Sequence, residues 1–229
     1  MHLYAIGDLH LSFGVNKPMD IFDGWEGYEQ KLKNNWESLV KDEDTVVLLG
    51  DHSWGMNLLQ SKDDFAFIND LPGRKILLKG NHDYFWETKA KMERFFADNE
   101  FNTLNILHNN SYTFDNRFAI CGTRGWNNET NDPQNAKIIA REASRLEMSL
   151  EEGVKTGKEP IVFLHYPPVF AQEYCDEIIG VIEKYNVKKV FYGHLHAGGC
   201  KAAFNGMLGD TAYRLVSADY LKFMPYKIA

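Results

Sequence analysis

The sequence lacks the features of a disulfide-stabilised, membrane-spanning or disordered protein. Its three cysteines, Cys121, Cys175 and Cys200, are scattered and form no Cys-x-x-Cys pair, which is typical of free thiols in a reducing compartment. No uninterrupted apolar run approaches the roughly 18 to 20 residues that a bilayer-spanning helix needs. A solvated coil is excluded as well, because 15 Phe, 11 Tyr and 5 Trp occur among the 229 residues.

Basic residues are too few for a general attraction to nucleic-acid phosphates. The chain has 25 Lys and Arg against 32 Asp and Glu, a formal charge of −7, and no basic run. We therefore expect no stable nucleic-acid binding and no membrane association, although a local cationic site is compatible with this charge. The first residues lack the positive segment and cleavage site of a signal peptide. Together with the cysteines, this predicts a cytoplasmic protein, whose oligomeric state the sequence leaves open.

No repeat, low-complexity tract or linker divides the sequence, so we predict a single domain over residues 1–229. Short apolar runs alternate with amphipathic segments, which predicts an α/β layered fold. The runs are continuous rather than alternating, as in strands that are buried on both faces. The strand candidates are Leu3–Ile6, Thr45–Leu49, Lys75–Leu78, Phe118–Cys121, Ile161–Leu164 and Lys189–Tyr192.

Helical spacing of apolar residues predicts helices in the regions 32–39, 139–150 and 178–185. For the second of these, Asp132 is the predicted cap and Pro133 the first helical residue. Near the end of the sequence, Asn205-Gly206 followed by the run Tyr213–Val216 predicts a β-hairpin.

Side chains that can bind metals follow five of the strand candidates. In open α/β sheets, ligands bind beyond the carboxyl ends of the strands, so we expect these five clusters to converge. A single histidine is usually an ordinary core or surface residue, but five of the eight histidines lie in the clusters, which argues against that interpretation. The clusters are Asp8-Leu9-His10, Gly50-Asp51, Gly80-Asn81-His82-Asp83, His165 and Gly193-His194-Leu195-His196.

The chemistry of these donors predicts two divalent metal ions. Carboxylate oxygen and imidazole nitrogen without thiolate suit Mn, Fe or Zn, of which we favour Mn, and they argue against Ca or a bare Mg site. There are too many donors for one ion, and two metals that share a carboxylate are the usual device for in-line displacement at phosphorus. Two such ions bring more positive charge than Asp8 and Asp51 neutralise, so an acidic protein can hold an anion there.

The order of the clusters resembles the calcineurin-like metallophosphoesterase superfamily, and within it the small prokaryotic-type predicted phosphohydrolases. The family pattern D-x-H, G-D, G-N-H-D/E, a lone H and G-H-x-H is complete between residues 8 and 196. The resemblance implies a two-sheet sandwich flanked by helices (αββα), which agrees with the alternation described above. It also implies an enzyme, a metal-dependent phosphoric ester hydrolase that acts on small phosphate esters.

The resemblance further implies a role for each matched residue. His82 would be the catalytic general acid beside the phosphate. A hydroxide between the two metals would attack phosphorus, and Asn81 would contact the substrate as well as a metal. One metal would be bound by Asp8, His10, Asp51 and His196, and the other by Asp51, Asn81, His165 and His194.

The substrate class remains open at this point. A phosphodiester is slightly preferred, because no capping segment follows His196 and a shallow site accepts two substituents on phosphorus. The alternatives are a phosphomonoesterase or nucleotide phosphatase and, with less support, a non-catalytic metal-binding scaffold of the same fold. A nuclease is disfavoured by the acidic balance of the chain.

Several residues near the clusters have two interpretations. Arg124 either contacts a substrate phosphate or forms a surface salt bridge. His52 either orients a ligand from behind or lies at the rim of the site, and we favour the rim. The aromatic residues Trp54 and Tyr84 either stack a nucleobase or pack beneath the loops, and we favour packing. The run Tyr84-Phe85-Trp86 is interpreted as core at the start of a helix.

Overall fold

The computed structural model of the chain describes residues 1–127 and 133–229. These residues divide into two compact units, one made of Met1–Ile106 and Val216–Ala229, the other of Leu107–Leu215. In chain order the elements are β1 (Leu3–Ile6), α1 (Tyr28–Leu39), β2 (Thr45–Leu48), α2 (Lys62–Asp70), β3 (Arg74–Leu77), α3 (Lys89–Asp98), β4 (Leu104–Ile106), β5 (Tyr112–Phe114), β6 (Phe118–Thr123), α4 (Pro133–Val154), β7 (Glu159–Leu164), β8 (Val169–Phe170), β9 (Glu173–Tyr174), α5 (Asp176–Lys184), β10 (Lys189–Tyr192), a 3-10 helix (Ala197–Ala202), β11 (Gly206–Leu208), β12 (Thr211–Leu215) and β13 (Tyr226–Lys227).

The first unit is built on a five-stranded sheet in the order β13-β1-β2-β3-β4. Strands β1 to β4 are parallel, and β13 is antiparallel to β1. All residues of β1 and β2 are buried, as continuous apolar runs require. Helix α1 buries Tyr28, Leu32 and Trp36, which lie four residues apart along one face. Each fully buried side chain of this size stabilises the fold by roughly 1.5–3 kcal/mol.

The parallel register of the first sheet positions the loops that carry predicted ligands. Ile6 pairs with Leu48, and Leu48 pairs with Leu77, so β1, β2 and β3 end level with one another. The segments that follow these ends contain Asp8, Asp51 and Asn81. Three loops with predicted ligands therefore leave the sheet from one edge.

The second unit contains a six-stranded sheet in the order β11-β12-β10-β7-β6-β5. Its strands β6, β7, β10 and β12 are parallel, while β5 and β11 are antiparallel edge strands. Helix α4 buries Ile139, Leu146 and Leu150, and α5 buries Ile178 and Ile182, all within one apolar cluster. The carboxyl ends of β6, β7 and β10 are level, so Arg124, His165 and Gly193 follow neighbouring strands.

The predicted fold class is confirmed, since the chain is mixed α/β with two large sheets flanked by helices. The single domain over residues 1–229 stays a prediction. Helix α4 begins at Pro133, and its predicted cap Asp132 lies outside the described residues. Within the described ranges, no helix combines the length and the apolar character that crossing a membrane requires.

The predicted hairpin near the end exists, but its turn lies elsewhere. Leu208 pairs with Thr211, so Gly209 and Asp210 form the two-residue turn, and Gly209 has the positive φ of 55° that such turns need. Asn205 has a different role, because its side-chain oxygen accepts a hydrogen bond of 2.9 Å from the backbone N–H of Leu215.

Candidate metal centre

Backbone hydrogen bonds hold the loops after β1 and β2 side by side. The N–H of Asp8 donates to the carbonyl of Gly50 at 2.9 Å, and the N–H of His10 donates to the carbonyl of Asp51 at 2.9 Å. These bonds continue the parallel pairing of β1 and β2 beyond the sheet. The side chains of Asp8, His10 and Asp51 are therefore attached to neighbouring, mutually fixed stretches of backbone.

The donor atoms of these three residues are close enough to share metal ions. Asp8 offers a ligand atom within 4.8 Å of one on His10, and likewise within 4.8 Å of one on Asp51. His10 Nε2 lies 3.8 Å from Asp51 Oδ2. Two atoms bound to one ion at about 2.1 Å each cannot be more than about 4.2 Å apart, so this pair fits a shared ion. Both carboxylates are buried, and a cation would offset the cost of burying them.

Four of the predicted metal ligands have a left-handed backbone conformation. The φ angles are 62° for Asp8, 48° for His10, 52° for Asp51 and 72° for His194. This region is uncommon for residues other than glycine, and such strain is concentrated at functional sites. Positive φ also occurs at other residues of the described chain, such as Asn109 and Asn186, but these four lie where the motifs predict ligands.

Asp83, to which the sequence analysis gave no role, ties the loop after β3 to the loop after β2. Its buried carboxylate accepts three backbone hydrogen bonds, from Gly80 at 2.6 Å, Asp51 at 3.0 Å and His52 at 2.8 Å. In the opposite direction, the N–H of His82 donates to Asp51 Oδ1 at 2.8 Å. Three of these hydrogen bonds join the two loops and thus fix the loop of the predicted general acid relative to the predicted bridging carboxylate.

The prediction that His52 lies at the rim is wrong. His52 is fully buried, and its Nδ1 lies 3.5 Å from Asp83 Oδ2. The backbone N–H of His52 also donates to Asp83, which turns the residue inward. The His52 ring lies beside Trp86, with the ring centroids 6.3 Å apart, rather than in solvent.

His82 is half-buried and contacts aromatic side chains. Its ring centroid lies 4.8 Å from that of Trp54, which stacks on His10 at 4.8 Å and 21°. Lys17 Nζ lies 3.2 Å from the Trp54 ring centroid, a cation–π contact. These contacts with His10 and His82 agree with the interpretation that Trp54 packs beneath the loops.

Tyr84 does not belong to the core, contrary to the sequence interpretation. Its side chain is 52% exposed, whereas Phe85 is buried, and α3 begins only at Lys89. The Tyr84 hydroxyl lies 3.1 Å from His82 Nδ1. The run Tyr84-Phe85-Trp86 is a turn in which only Phe85 is fully buried.

Asp64 is a second buried carboxylate that the sequence analysis did not identify. It accepts hydrogen bonds from the N–H of Phe13 at 2.7 Å and from the hydroxyl of Ser53. Burial is the main cause that raises the pKa of Asp64 to about 6. Phe13 follows the segment that carries Asp8 and His10, and Ser53 follows Asp51. Asp64 therefore connects the loop after β1 to the loop after β2.

In the second unit, the structure brings two predicted ligands together. The N–H of Gly193 donates to the carbonyl of His165 at 3.1 Å, and the rings of His165 and His194 are 5.1 Å apart at 70°. Tyr166 packs on His194 at 4.2 Å. His196 is half-buried and immediately precedes the 3-10 helix. The end of β10 thus places an imidazole beside the one at the end of β7.

Arg124 forms an ion pair with a buried carboxylate rather than a surface salt bridge. Its Nη2 lies 3.7 Å from Oε1 of the fully buried Glu142, and its guanidinium carbon lies 4.5 Å from the Trp126 ring centroid. Burial lowers the pKa of Arg124, and the charge of Glu142 opposes that shift. The carbonyl of Arg124 accepts the N–H of His165 at 3.1 Å, so its backbone adjoins a predicted ligand. A contact of Arg124 with substrate stays a prediction.

The chain belongs to a known family. A sequence model with the description "Calcineurin-like phosphoesterase" matches residues 1–198, which is most of the chain. The chain is therefore a member of the calcineurin-like phosphoesterase family. This membership supports a metal-dependent phosphoric ester hydrolase.

Curated relatives match only part of the chain. Gene 66 protein of Mycobacterium phage L5 is 40% identical over 79 residues, covering 33% of this chain and 37% of that protein. The uncharacterized protein MJ1445 of Methanocaldococcus jannaschii is 31% identical over 90 residues, covering 37% of this chain and 48% of that protein. The chain thus spans less than half of the length of these relatives.

Solved structures have the same fold. TT1561 of Thermus thermophilus is similar with a TM-score of 0.62 and 14% identity, over 93% of this chain and 87% of that chain. AQ665 of Aquifex aeolicus, a protein of unknown function, is similar with a TM-score of 0.53 and 20% identity, over 99% of this chain and 95% of that chain. At these identities the likeness concerns the fold alone.

Proposed function

We propose that this chain is a dinuclear metal-dependent phosphohydrolase. The observation that carries the proposal is the grouping of buried donor atoms from Asp8, His10 and Asp51, each on strained backbone, at the level ends of β1 and β2. Oxygen and imidazole nitrogen donors at these separations suit a divalent transition metal. The match of residues 1–198 to the family supports the same chemistry.

The proposed ligand sets follow the family pattern. His10 Nε2 and Asp51 Oδ2, which are 3.8 Å apart, would bind the same ion, and Asp51 would also contact the second. When bound, two divalent cations supply Lewis acidity toward a phosphoryl oxygen and activate the attacking nucleophile. We favour Mn, with Fe and Zn as alternatives. The ions would be bound by Asp8, His10, Asp51 and His196, and by Asp51, Asn81, His165 and His194.

His82 is the proposed general acid. Its backbone N–H is bonded to Asp51 Oδ1, which fixes the distance between the acid loop and the proposed bridging carboxylate. The imidazole is half-buried, so it can reach both a substrate and the solvent that reprotonates it. It would donate a proton to the oxygen that leaves phosphorus. Asn81 and Arg124 are the proposed substrate contacts.

The proposed substrate is a small phosphate ester, with a slight preference for a diester. A phosphomonoesterase or nucleotide phosphatase is the alternative. A cytoplasmic location is proposed as well, and the three free thiols of Cys121, Cys175 and Cys200 support it.

The decisive experiment combines metal content with turnover. The protein is stripped with a chelator, reloaded with Mn, Fe or Zn, and assayed with 4-nitrophenyl phosphate and bis(4-nitrophenyl) phosphate. We expect activity only after reloading. His82→Ala should lower kcat by roughly 100- to 10,000-fold while elemental analysis finds the metals retained. His2→Ala, which changes an exposed histidine outside the site, is the matched control.

Three outcomes would contradict parts of this proposal. Equal activity in chelator and in Mn would exclude metal-dependent hydrolysis. Loss of metal from His82→Ala would make that residue a ligand instead of an acid. Full metal content without turnover of either ester would favour the scaffold alternative.

A further inference from the structure

A hydrogen bond connects the proposed general acid to a tyrosine two residues further on. The Tyr84 hydroxyl lies 3.1 Å from His82 Nδ1, and the two rings meet edge to face at a centroid distance of 5.9 Å. The N–H of Tyr84 also donates to the carbonyl of His82 at 2.8 Å, which closes a tight turn. Asp83, between the two residues, is anchored by three backbone N–H groups. The backbone that carries both rings is therefore fixed.

The chemistry of the two groups determines which nitrogen can transfer a proton. The imidazolium form of histidine carries protons on both nitrogens, and a phenolic hydroxyl can accept as well as donate. With Nδ1–H donating to the Tyr84 oxygen, the proton on Nε2 is the one available to a leaving oxygen. After that transfer, the neutral ring still carries its Nδ1 proton and keeps its bond to Tyr84.

We propose that Tyr84 is a positioning residue for the proposed general acid: its hydroxyl holds Nδ1 of His82 before and after proton transfer, so that Nε2 faces the leaving oxygen. This inference rests on the proposed function of His82. Tyr84 acts through His82, which its hydroxyl contacts.

Tyr84→Phe tests the inference because it removes the hydroxyl and keeps the ring contact. We expect kcat to fall roughly three- to tenfold, the size that one hydrogen bond allows, with KM unchanged. The loss should be larger for phenyl esters than for 4-nitrophenyl esters, because the more basic leaving oxygen depends more on the acid. Tyr174→Phe, which removes a hydroxyl from a tyrosine of similar exposure, 48%, is the matched control.

A double-mutant cycle separates this role from a merely structural one. In a His82→Ala background, Tyr84→Phe should have no further effect on kcat. A second readout needs no activity: in metal-free protein labelled with nitrogen-15 histidine, Tyr84→Phe should shift the Nδ1 resonance of His82, and Tyr174→Phe should not.

The two levels of the proposal can fail separately. If His82→Ala retains full turnover, the proposed acid is wrong. If His82→Ala is impaired while Tyr84→Phe has wild-type kcat and an unmoved Nδ1 resonance, the inference about Tyr84 is overturned. A loss of kcat in Tyr84→Phe that persists in the His82→Ala background would also overturn it.

Discussion

Two buried carboxylates, Asp83 and Asp64, support the candidate metal centre without being predicted ligands. Asp83 accepts three backbone N–H groups, whereas Asp64 accepts one backbone N–H and one hydroxyl. Hydrogen bonds to a carboxylate favour its charged form, and burial opposes it. For Asp64 burial is the larger effect, since its pKa is raised to about 6. The two residues therefore lead to different predictions.

Replacing Asp83 with Asn should loosen the loops around Asp51. An amide has one acceptor oxygen in place of two and turns an N–H₂ group toward backbone donors. A buried donor left without a partner costs about 1–3 kcal/mol, so the free energy of unfolding should fall by at least that amount. Urea unfolding and calorimetric Mn titration measure both consequences, because Mn affinity should fall as Asp51 loses its fixed position.

Asp23→Asn is the matched control for this change, since Asp23 is exposed. It should leave both the unfolding free energy and the Mn affinity close to wild type. Wild-type Mn affinity in Asp83→Asn would mean that the three hydrogen bonds do not position Asp51.

Asp64 should make stability depend on pH in an unusual direction for a carboxyl group. Its folded pKa of about 6 lies above the ordinary value of 3.8, so between these values the folded state binds more protons than the unfolded state. The stabilisation is complete below pH 3.8 and is lost as the pH rises through about 6. A pKa difference of this size corresponds to a change of roughly 3 kcal/mol in the free energy of unfolding.

Urea unfolding of wild type and Asp64→Asn between about pH 4.5 and 7 measures this effect. The stability of wild type relative to Asp64→Asn should decrease as the pH rises over this range. Asp23→Asn, at an exposed position outside the surroundings of Asp64, should follow the wild-type pH dependence. Parallel curves for wild type and Asp64→Asn would show that Asp64 does not titrate in this window.

The position of the proposed ligands at strand ends could be predicted from the sequence, but the residues behind them could not. Asp8 and Asp51 follow apolar runs after a single glycine, and His165 follows one directly, so their position at strand ends is visible in the chain itself. Asp83 acts on backbone groups about thirty positions earlier, and that proximity arises only when β2 and β3 pair. Asp64 lies in a polar stretch that has no signal of burial. His52 was wrongly predicted at the rim because its sequence position likewise carries no signal of burial.

At the scale of elements, a glycine allows the loop after β3 to approach the loop after β2. A Cβ added to Gly80 would lie 2.1 Å from Asp51 Oδ1 and 2.3 Å from Asp51 N. Both distances are far below van der Waals contact. The close approach is what lets the carboxylate of Asp83 reach back to Asp51.

Gly80→Ala should therefore displace Asp51 and weaken metal binding. Calorimetric Mn titration is expected to show at least a tenfold loss of affinity, in the range found when groups that orient a metal ligand are removed. Gly180→Ala is the matched control, because a Cβ there meets nothing within 4 Å and alanine is the better helix former by up to about 1 kcal/mol. Unchanged Mn affinity in Gly80→Ala would show that the loop can shift without moving Asp51.

The elements themselves were predicted where local pattern determines them. Strand positions agree within about two residues, since buried apolar runs define them, but their ends depend on pairing with neighbours. Helix α2 was not predicted, and α3 begins at Lys89 rather than at the predicted helix start in Tyr84-Phe85-Trp86. The hairpin turn was predicted at Asn205-Gly206 because that dipeptide is a strong turn signal. In the structure the Asn205 side chain instead accepts a hydrogen bond from the backbone N–H of Leu215.

At the scale of the whole molecule, the function class is predictable because the metals determine the residue types. The proposed ligands span residues 8 to 196, and no short window of sequence contains the site. Metals constrain oxygen and nitrogen donors narrowly, so the pattern remains visible across that length. The contacts of the loop side chains Lys17, Trp54 and Tyr84 with one another or with His82 are specified by no motif.

The dispersion of the ligands along the chain leads to a prediction about metal and stability. In the unfolded chain the donors are far apart, so metal ions bind the folded state preferentially and stabilise it. At a free Mn concentration about 100 times the dissociation constant, the stabilisation is about 2.7 kcal/mol. For a chain of this length that corresponds to an increase in Tm of roughly 5–10 °C. Thermal unfolding in excess Mn and in chelator measures this increase in Tm.

Asp51→Asn should abolish the increase in Tm, and Asp23→Asn should retain it. Equal Tm values for wild type with and without Mn would contradict a metal site formed by folding.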